Sequence, residues 1–202
     1  MSILTARFDR AVKNSPYTLL VFDWDGTLID SEAKIIAMLH AASDDFDLPR
    51  RPDADIRNII GLGLPVAMEQ LFPEQHVSIH NKIIERYRDY FNAAPSSKMF
   101  PGVPETLNTL RENGFRMAIA TGKSRRGLDK DLSNTDLWKM FHTTRCADET
   151  SSKPDPRMLH EIMEQLATEP KNTLMIGDTD HDLKMAGNAG VDAVAVTYGV
   201  QQ

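Results

Sequence analysis

Four short runs of continuous apolar residues punctuate the chain: Leu19-Leu20-Val21-Phe22, Met117-Ala118-Ile119-Ala120, Leu174-Met175-Ile176 and Val194-Ala195-Val196. A strand wetted on one face alternates apolar with polar positions, so unbroken runs predict strands buried on both faces, as in a parallel sheet covered by helices. Between the runs the apolar positions take helical spacing, with Val103, Leu107 and Leu110 in one stretch and Met158, Ile162 and Leu166 in another. Helices of this kind return the chain from one parallel strand to the next, which gives βαβ units and an α/β fold.

Residues 31–96 break that rhythm. No strand pattern is evident there, whereas Ile79, Ile83, Tyr87 and Tyr90 share one helical face and a second helix runs from Ser31, an N-cap candidate, through Ile35, Leu39 and Ala42. Pro49, Pro52, Gly61, Gly63, Pro65 and Pro73 separate the helices. The division expected is a discontinuous core, 1–30 and 97–202, with a helical domain of 31–96 inserted after the first strand and Asn92 to Pro101 as the returning hinge.

Composition narrows the class. At 202 residues the chain can bury a core without disulfides. Its net charge of −6, with acids and bases interleaved, gives no basic stripe for nucleic acid. Cys146 is the one cysteine and reads as a small buried hydrophobe on a strand, in a reducing compartment. The segment Met1 to Pro16 lacks the apolar stretch of a signal peptide, and no run approaches the roughly 18 apolar residues of a membrane span. A cytoplasmic protein without membrane attachment is expected.

The candidate chemistry sits where the apolar runs end. Asp23-Trp24-Asp25-Gly26-Thr27 follows the first run directly, placing two carboxylates at the carboxyl end of a central strand, where open α/β sheets bind ligands. An acidic loop that merely closed the strand would need one Asp and a Gly; two acids this close repel unless a cation or a shared task holds them. Gly177-Asp178-Thr179-Asp180-His181-Asp182 follows the third run and opens a helix. A helix dipole favours acids at such a start, but the acid density exceeds what that requires. If the two loops meet, Asp23, Asp178 and Asp182 form an oxygen-only cluster suited to Mg²⁺, and His181 is then a helix-start residue rather than a ligand.

Two further segments suit an anionic substrate. Thr121-Gly122-Lys123 offers a hydroxyl and loop amides before a helix, and Lys153-Pro154 precedes the Met158 helix. Taken singly, such residues are usually caps or surface charges. All four segments, at strand ends or just before helices, describe one site.

In order, these segments resemble the four motifs of the haloacid dehalogenase superfamily, over about residues 17–199. The position of the helical insert is similar to the subfamily with an α-helical cap, and Ala147-Asp148-Glu149 and Ala195-Val196-Thr197-Tyr198-Gly199 look most like phosphoglycolate phosphatases. The resemblance implies a Rossmann-like doubly wound core and an Mg²⁺-dependent phosphomonoester hydrolase acting on a small phosphorylated metabolite. Asp23 would be the nucleophile and Asp25 the general acid and base. Thr121, Gly122 and Lys153 would stabilise phosphoryl charge, and Lys123 would add to substrate binding. Metal would be held by Asp23, the carbonyl of Asp25 and Asp178, with Asp182 orienting a water at the metal. Asp25 argues against dehalogenation, because a halide leaves without a proton.

The cap would supply specificity, with Arg57 as a candidate substrate contact on a par with a surface role, and Trp24 would pack beneath the catalytic loop. The chain ends at Gln202, where members of the family commonly continue through another strand and a helix. A phosphomutase of the β-phosphoglucomutase type, a pyrophosphatase or nucleotidase, and a non-catalytic binding module remain open alternatives. The partner expected is a small phosphate ester, for a monomer or weak dimer.

Overall fold

The computed structural model describes residues 15–133 and 136–201. The opening segment read against a signal peptide lies outside them up to Asn14. Along the chain run β1 (Leu19–Phe22), β2 (Ile29–Asp30), α1 (Glu32–Asp44), α2 (Asp53–Ile59), α3 (Leu64–Leu71), α4 (Val77–Ala93), β3 (Lys98–Met99) and α5 (Val103–Glu112). They are followed by β4 (Arg116–Thr121), α6 (Arg125–Ser133), β5 (Thr143–Cys146), α7 (Arg157–Gln165), β6 (Thr173–Gly177), α8 (Asp180–Ala189) and β7 (Asp192–Ala195).

Five parallel strands form one sheet in the order β5-β4-β1-β6-β7. β1 is central, with Phe22 opposite Ile119 of β4 on one side and Ile176 of β6 on the other. Its side chains alternate between two cores. Leu20 and Phe22 join Met117, Ile119, Leu107 and Leu128 on one face. Leu19 and Val21 join Ala118, Met158, Ile162 and Met185 on the other. That two-sided packing is why the strand reads as an unbroken apolar run, and each such buried Leu, Ile or Met contributes roughly 1.5–3 kcal/mol.

Two strands depart from the sequence pattern. All four residues of β7 are exposed, Val194 at 48%, although the run around it predicted burial on both faces. β7 is an edge strand paired with β6, so its apolar residues lie at the rim of the sheet. At the opposite edge, β5 (Thr143-Thr144-Arg145-Cys146) is too polar to stand out as an apolar run; Arg145 pairs with Glu161 of α7 at 2.8 Å. Cys146 is fully buried there, and burial pushes its thiol up to about 12.

Helices α1 to α4 pack on one another around Leu39, Ile56, Met68, Phe72 and Ile83. Ile79, Ile83, Tyr87 and Tyr90 all fall within α4. At the base of this helical insert the outgoing and returning chain pair as a two-stranded antiparallel ribbon, Ile29 with Met99 and Asp30 with Lys98. The ribbon ties both crossings together directly after the Asp23 loop. No helix among the described residues is long and apolar enough to cross a membrane.

Candidate active site

β1 delivers Asp23 to the carboxyl edge of the sheet, where the Asp23 amide donates to the Ile176 carbonyl at 2.9 Å and so keeps the chain on the β6 side for one residue more. Asp23 is 1% exposed. Neither of its carboxylate oxygens accepts a well-oriented hydrogen bond, although the Lys153 ammonium lies 2.7 Å from Oδ1. Burial holds the Asp23 carboxyl well above the usual carboxylate range; Lys153 pulls it down, and Asp182 and Asp178 push it up again.

Lys153 itself is fully buried and also pairs with Asp182 Oδ1 at 2.6 Å. Burial would lower the pKa of its ammonium, but Asp182 and Asp23 outweigh that and raise it. The other oxygen of Asp182 accepts from the Thr179 amide and hydroxyl at 3.1 and 2.8 Å, a capping box that starts α8. Asp182 is thus a brace for Lys153 as well as an acid of the cluster.

Asp178 is gripped from two sides. Thr27 Oγ1 donates to Oδ1 at 2.9 Å and the Val200 amide donates to Oδ2 at 2.9 Å. Burial raises its carboxyl, against the lowering by those two donors. Gly26, at φ +86°, has to be glycine for a second reason: a Cβ there would lie 2.2 Å from Asp178 Oδ2. The Tyr198 hydroxyl closes the same loop by donating to the Thr27 carbonyl at 3.0 Å.

Oxygens of Asp23, Asp178 and Asp182 lie within 4.8 Å of one another. Two oxygens on one Mg²⁺, each at about 2.1 Å, are at most about 4.2 Å apart, so adjustments of a few tenths of an ångström would bring these acids onto a single ion. Three buried carboxylates, two of them (Asp23 and Asp178) raised by burial, and two under-partnered Asp23 oxygens fit a hard divalent cation. The Asp25 side chain stands apart from this cluster. Its Oδ1 accepts from Ser31 Oγ at 2.7 Å, and the Lys123 ammonium lies 3.3 Å from Oδ1 and 3.3 Å from Oδ2. Ser31 therefore begins α1 without capping it through its side chain; the hydroxyl serves Asp25 instead.

Thr121 is 1% exposed at the end of β4 and lines, with Asp23, Asp25, Lys123, Leu62 and Phe91, a cavity of about 530 Å³ between the sheet edge and the helical insert. Thr121 Oγ1 accepts from the Lys123 amide at 3.2 Å. The insert rests on this loop closely enough that a Cβ on Gly122 would meet the Gly61 carbonyl at 2.5 Å. Two further contacts hold it there. The Gly63 amide donates to Ser152 Oγ at 2.8 Å, and His181 Nε2 lies 2.8 Å from the Asn58 carbonyl.

The structure brings Asp23, Asp25, Thr121, Gly122, Lys123, Lys153, Asp178 and Asp182 together. Arg57 is elsewhere: it pairs with Glu32 at 2.6 Å on another face of the insert and does not line the cavity, which corrects its expected role as a substrate contact. A surface arginine beside a glycine turn looks the same in sequence whichever way it faces. Ser31, Thr27 and Asp131 were not singled out as site residues. Each acts through a hydrogen bond or ion pair that sequence spacing does not reveal.

The family profile of the haloacid dehalogenase-like hydrolases matches residues 20–196. The chain belongs to that family. Among these hydrolases it is 33% identical over 188 residues to "Probable phosphatase IndB" of Dickeya dadantii, covering 90% of this chain and 82% of the relative. It is 32% identical to a phosphoglycolate phosphatase of Mannheimia succiniciproducens, covering 92% and 88%. Pyrophosphatase PpaX of Halalkalibacterium halodurans is 31% identical, with 90% and 84% covered. In three dimensions the haloacid dehalogenase-like fold superposes on a crystal structure of a Bacteroides fragilis protein of the same description with a TM-score of 0.85, at 26% identity and over 92% and 90% of the two chains. The relatives place it among the phosphatases of the family.

Proposed function

We propose that this hydrolase is an Mg²⁺-dependent phosphomonoesterase that works through an aspartyl phosphate on Asp23 and accepts a small phosphorylated metabolite of the phosphoglycolate type. The observation that carries the reading is the buried, under-partnered Asp23 carboxylate, 2.7 Å from the Lys153 ammonium and open to the cavity. Mg²⁺, held by Asp23, Asp178 and the Asp25 carbonyl, with Asp182 beside them, would neutralise charge on the carboxylates and the phosphate.

The chain's own residues then divide the work. An Asp23 oxygen bonds to phosphorus as the ester P–O bond breaks, and Asp25 gives its proton to the departing alkoxide. Asp25 then takes a proton from the water that attacks phosphorus, which releases inorganic phosphate and restores the Asp23 carboxylate. Ser31 donates to Asp25 Oδ1 at 2.7 Å and Lys123 lies 3.3 Å from either oxygen, so Oδ2, the less tightly held of the two, would exchange the proton. Lys153, the Thr121 hydroxyl and the Gly122 amide would stabilise charge on the phosphoryl oxygens. The helical insert, seated on Gly122 and Ser152, acts as a cap that excludes water from the cavity.

A panel of phosphate monoesters, phosphoglycolate among them, assayed with and without Mg²⁺ tests this. Hydrolysis should require the ion and vanish in Asp23→Asn; activity surviving in that variant would refute the nucleophile. Pyrophosphate belongs in the panel as the second reading, favoured by the PpaX relative. The single cysteine, Cys146, is free and buried, which suits a reducing, cytoplasmic setting.

A further inference from the structure

Beyond the motif residues, one carboxylate touches both Trp24 of the Asp23-Trp24-Asp25 loop and Lys123, the lysine that faces Asp25. Asp131, on α6, accepts a hydrogen bond from Trp24 Nε1 at 3.0 Å and lies 3.2 Å from the Lys123 ammonium. Trp24 is fully buried between the two acids in sequence, and Lys123 reaches both oxygens of Asp25 at 3.3 Å. The same ammonium has the Phe91 ring of the helical insert over it, 4.5 Å to the centroid. A lysine on a flexible four-carbon stem has many rotamers, and facing Asp25 alone it could slide to either oxygen or out into the cavity. Asp131 removes that freedom. It gives the ammonium a second carboxylate partner, and the Trp24 indole also donates to that carboxylate.

We infer that Asp131 is a positioning residue for proton transfer: through Lys123 it holds the Asp25 carboxyl with Oδ2 turned to the leaving oxygen, and Phe91 closes over Lys123 to complete the arrangement. This rests on the phosphatase reading above and assigns a role outside the four motifs. Its chemical signature is dependence on the leaving group. A p-nitrophenolate leaves readily without a proton, whereas an alkoxide needs one, so loss of Asp25 alignment should slow alkyl phosphates selectively.

The experiment compares kcat and KM of full-length wild type, Asp131→Asn, Asp131→Glu and Trp24→Phe on p-nitrophenyl phosphate and on the best alkyl phosphate of the panel, with Mg²⁺. Asp131→Asn keeps the shape and the acceptor for Trp24 but loses the charge that anchors Lys123. It should lower the alkyl to p-nitrophenyl ratio of kcat by about tenfold or more, with KM little changed. Asp131→Glu should recover part of the ratio, and Trp24→Phe, which keeps the Asp131 to Lys123 pair, should leave the ratio near that of wild type. An Asp131→Asn variant that slows both substrates equally, or neither, overturns the positioning role while the phosphatase reading stands. So does a Trp24→Phe variant with the same selective loss. A wild type inactive on every monoester overturns the phosphatase reading and this inference together.

Discussion

Lys153 Nζ lies 2.7 Å from Asp23 Oδ1, and both residues are 1% exposed. The same ammonium balances Asp182 at 2.6 Å, so one cation offsets two carboxylates, with Asp178 close by. Removing one partner of a buried pair leaves the others uncompensated and typically costs about 3–5 kcal/mol. Lys153→Met should therefore abolish turnover and also lower the midpoint of urea unfolding at neutral pH. The loss should shrink on acidification, as the Asp23 carboxyl, already held above its ordinary range, takes up a proton in the folded state.

Asp23→Asn should do the opposite to stability. A carboxyl whose folded pKa lies above its unfolded value binds protons in the fold where the unfolded chain does not, so stability falls as pH rises through the interval between the two. For Asp23 that interval begins at the unfolded value of 3.8 and extends upward. The neutral amide should be more stable than wild type at pH 7 in the absence of divalent ions, with the advantage fading towards pH 3.8. Thermal unfolding of both proteins across that range reads it directly, and a variant less stable at neutral pH would show that the Lys153 pair outweighs burial.

These two predictions draw on residues readable from the chain itself, and the reason is local. Asp23, Thr121 and Asp178 each follow an apolar run by a residue or less, so finding the strand finds the acid or hydroxyl, and parallel pairing brings the strand ends to one rim. The rest depended on distance along the chain. Asp131 meets Trp24 across 107 positions, and Tyr198 meets Thr27 across 171. Nothing in the local pattern of either partner marks those contacts. The ribbon of β2 and β3 has two residues in each strand, too short to carry a period. Arg57 failed for a related reason: helical spacing gives a face, but the Glu32 that claims it belongs to a different helix.

Binding of Mg²⁺ should show as stabilisation before any substrate is added. An ion held by the folded state alone contributes about 2.7 kcal/mol at a hundredfold excess over Kd, equivalent to about 5–10 °C in Tm for a chain of this size. Gly26→Ala is a sharp control, since its methyl group would fall 2.2 Å from Asp178 Oδ2 and the backbone there has φ +86°. The variant should lose stability on its own account and lose the Mg²⁺ response as well, because Asp178 must move. A full Mg²⁺ shift in Gly26→Ala would place the ion away from Asp178.

Gly122→Ala tests the contact between the helical insert and the Thr121-Gly122-Lys123 loop. The added methyl group meets the Gly61 and Leu62 carbonyls at 2.5 and 2.6 Å, backbone atoms that a rotamer change cannot clear. Either the β4 loop or the Gly61 turn has to retreat, and the looser of the two is the turn, which is held to the core by Ser152 and His181 through one hydrogen bond each. Retreat of the turn opens the cavity to water while leaving the sheet intact, so overpacking should cost no more than about 1–3 kcal/mol. The expected outcome is a folded protein with faster proteolysis near Gly61 and a fall in kcat/KM for phosphate esters. Unchanged proteolysis with lost activity would instead show that the Thr121 loop gave way, displacing its hydroxyl in the cavity rather than lifting the insert.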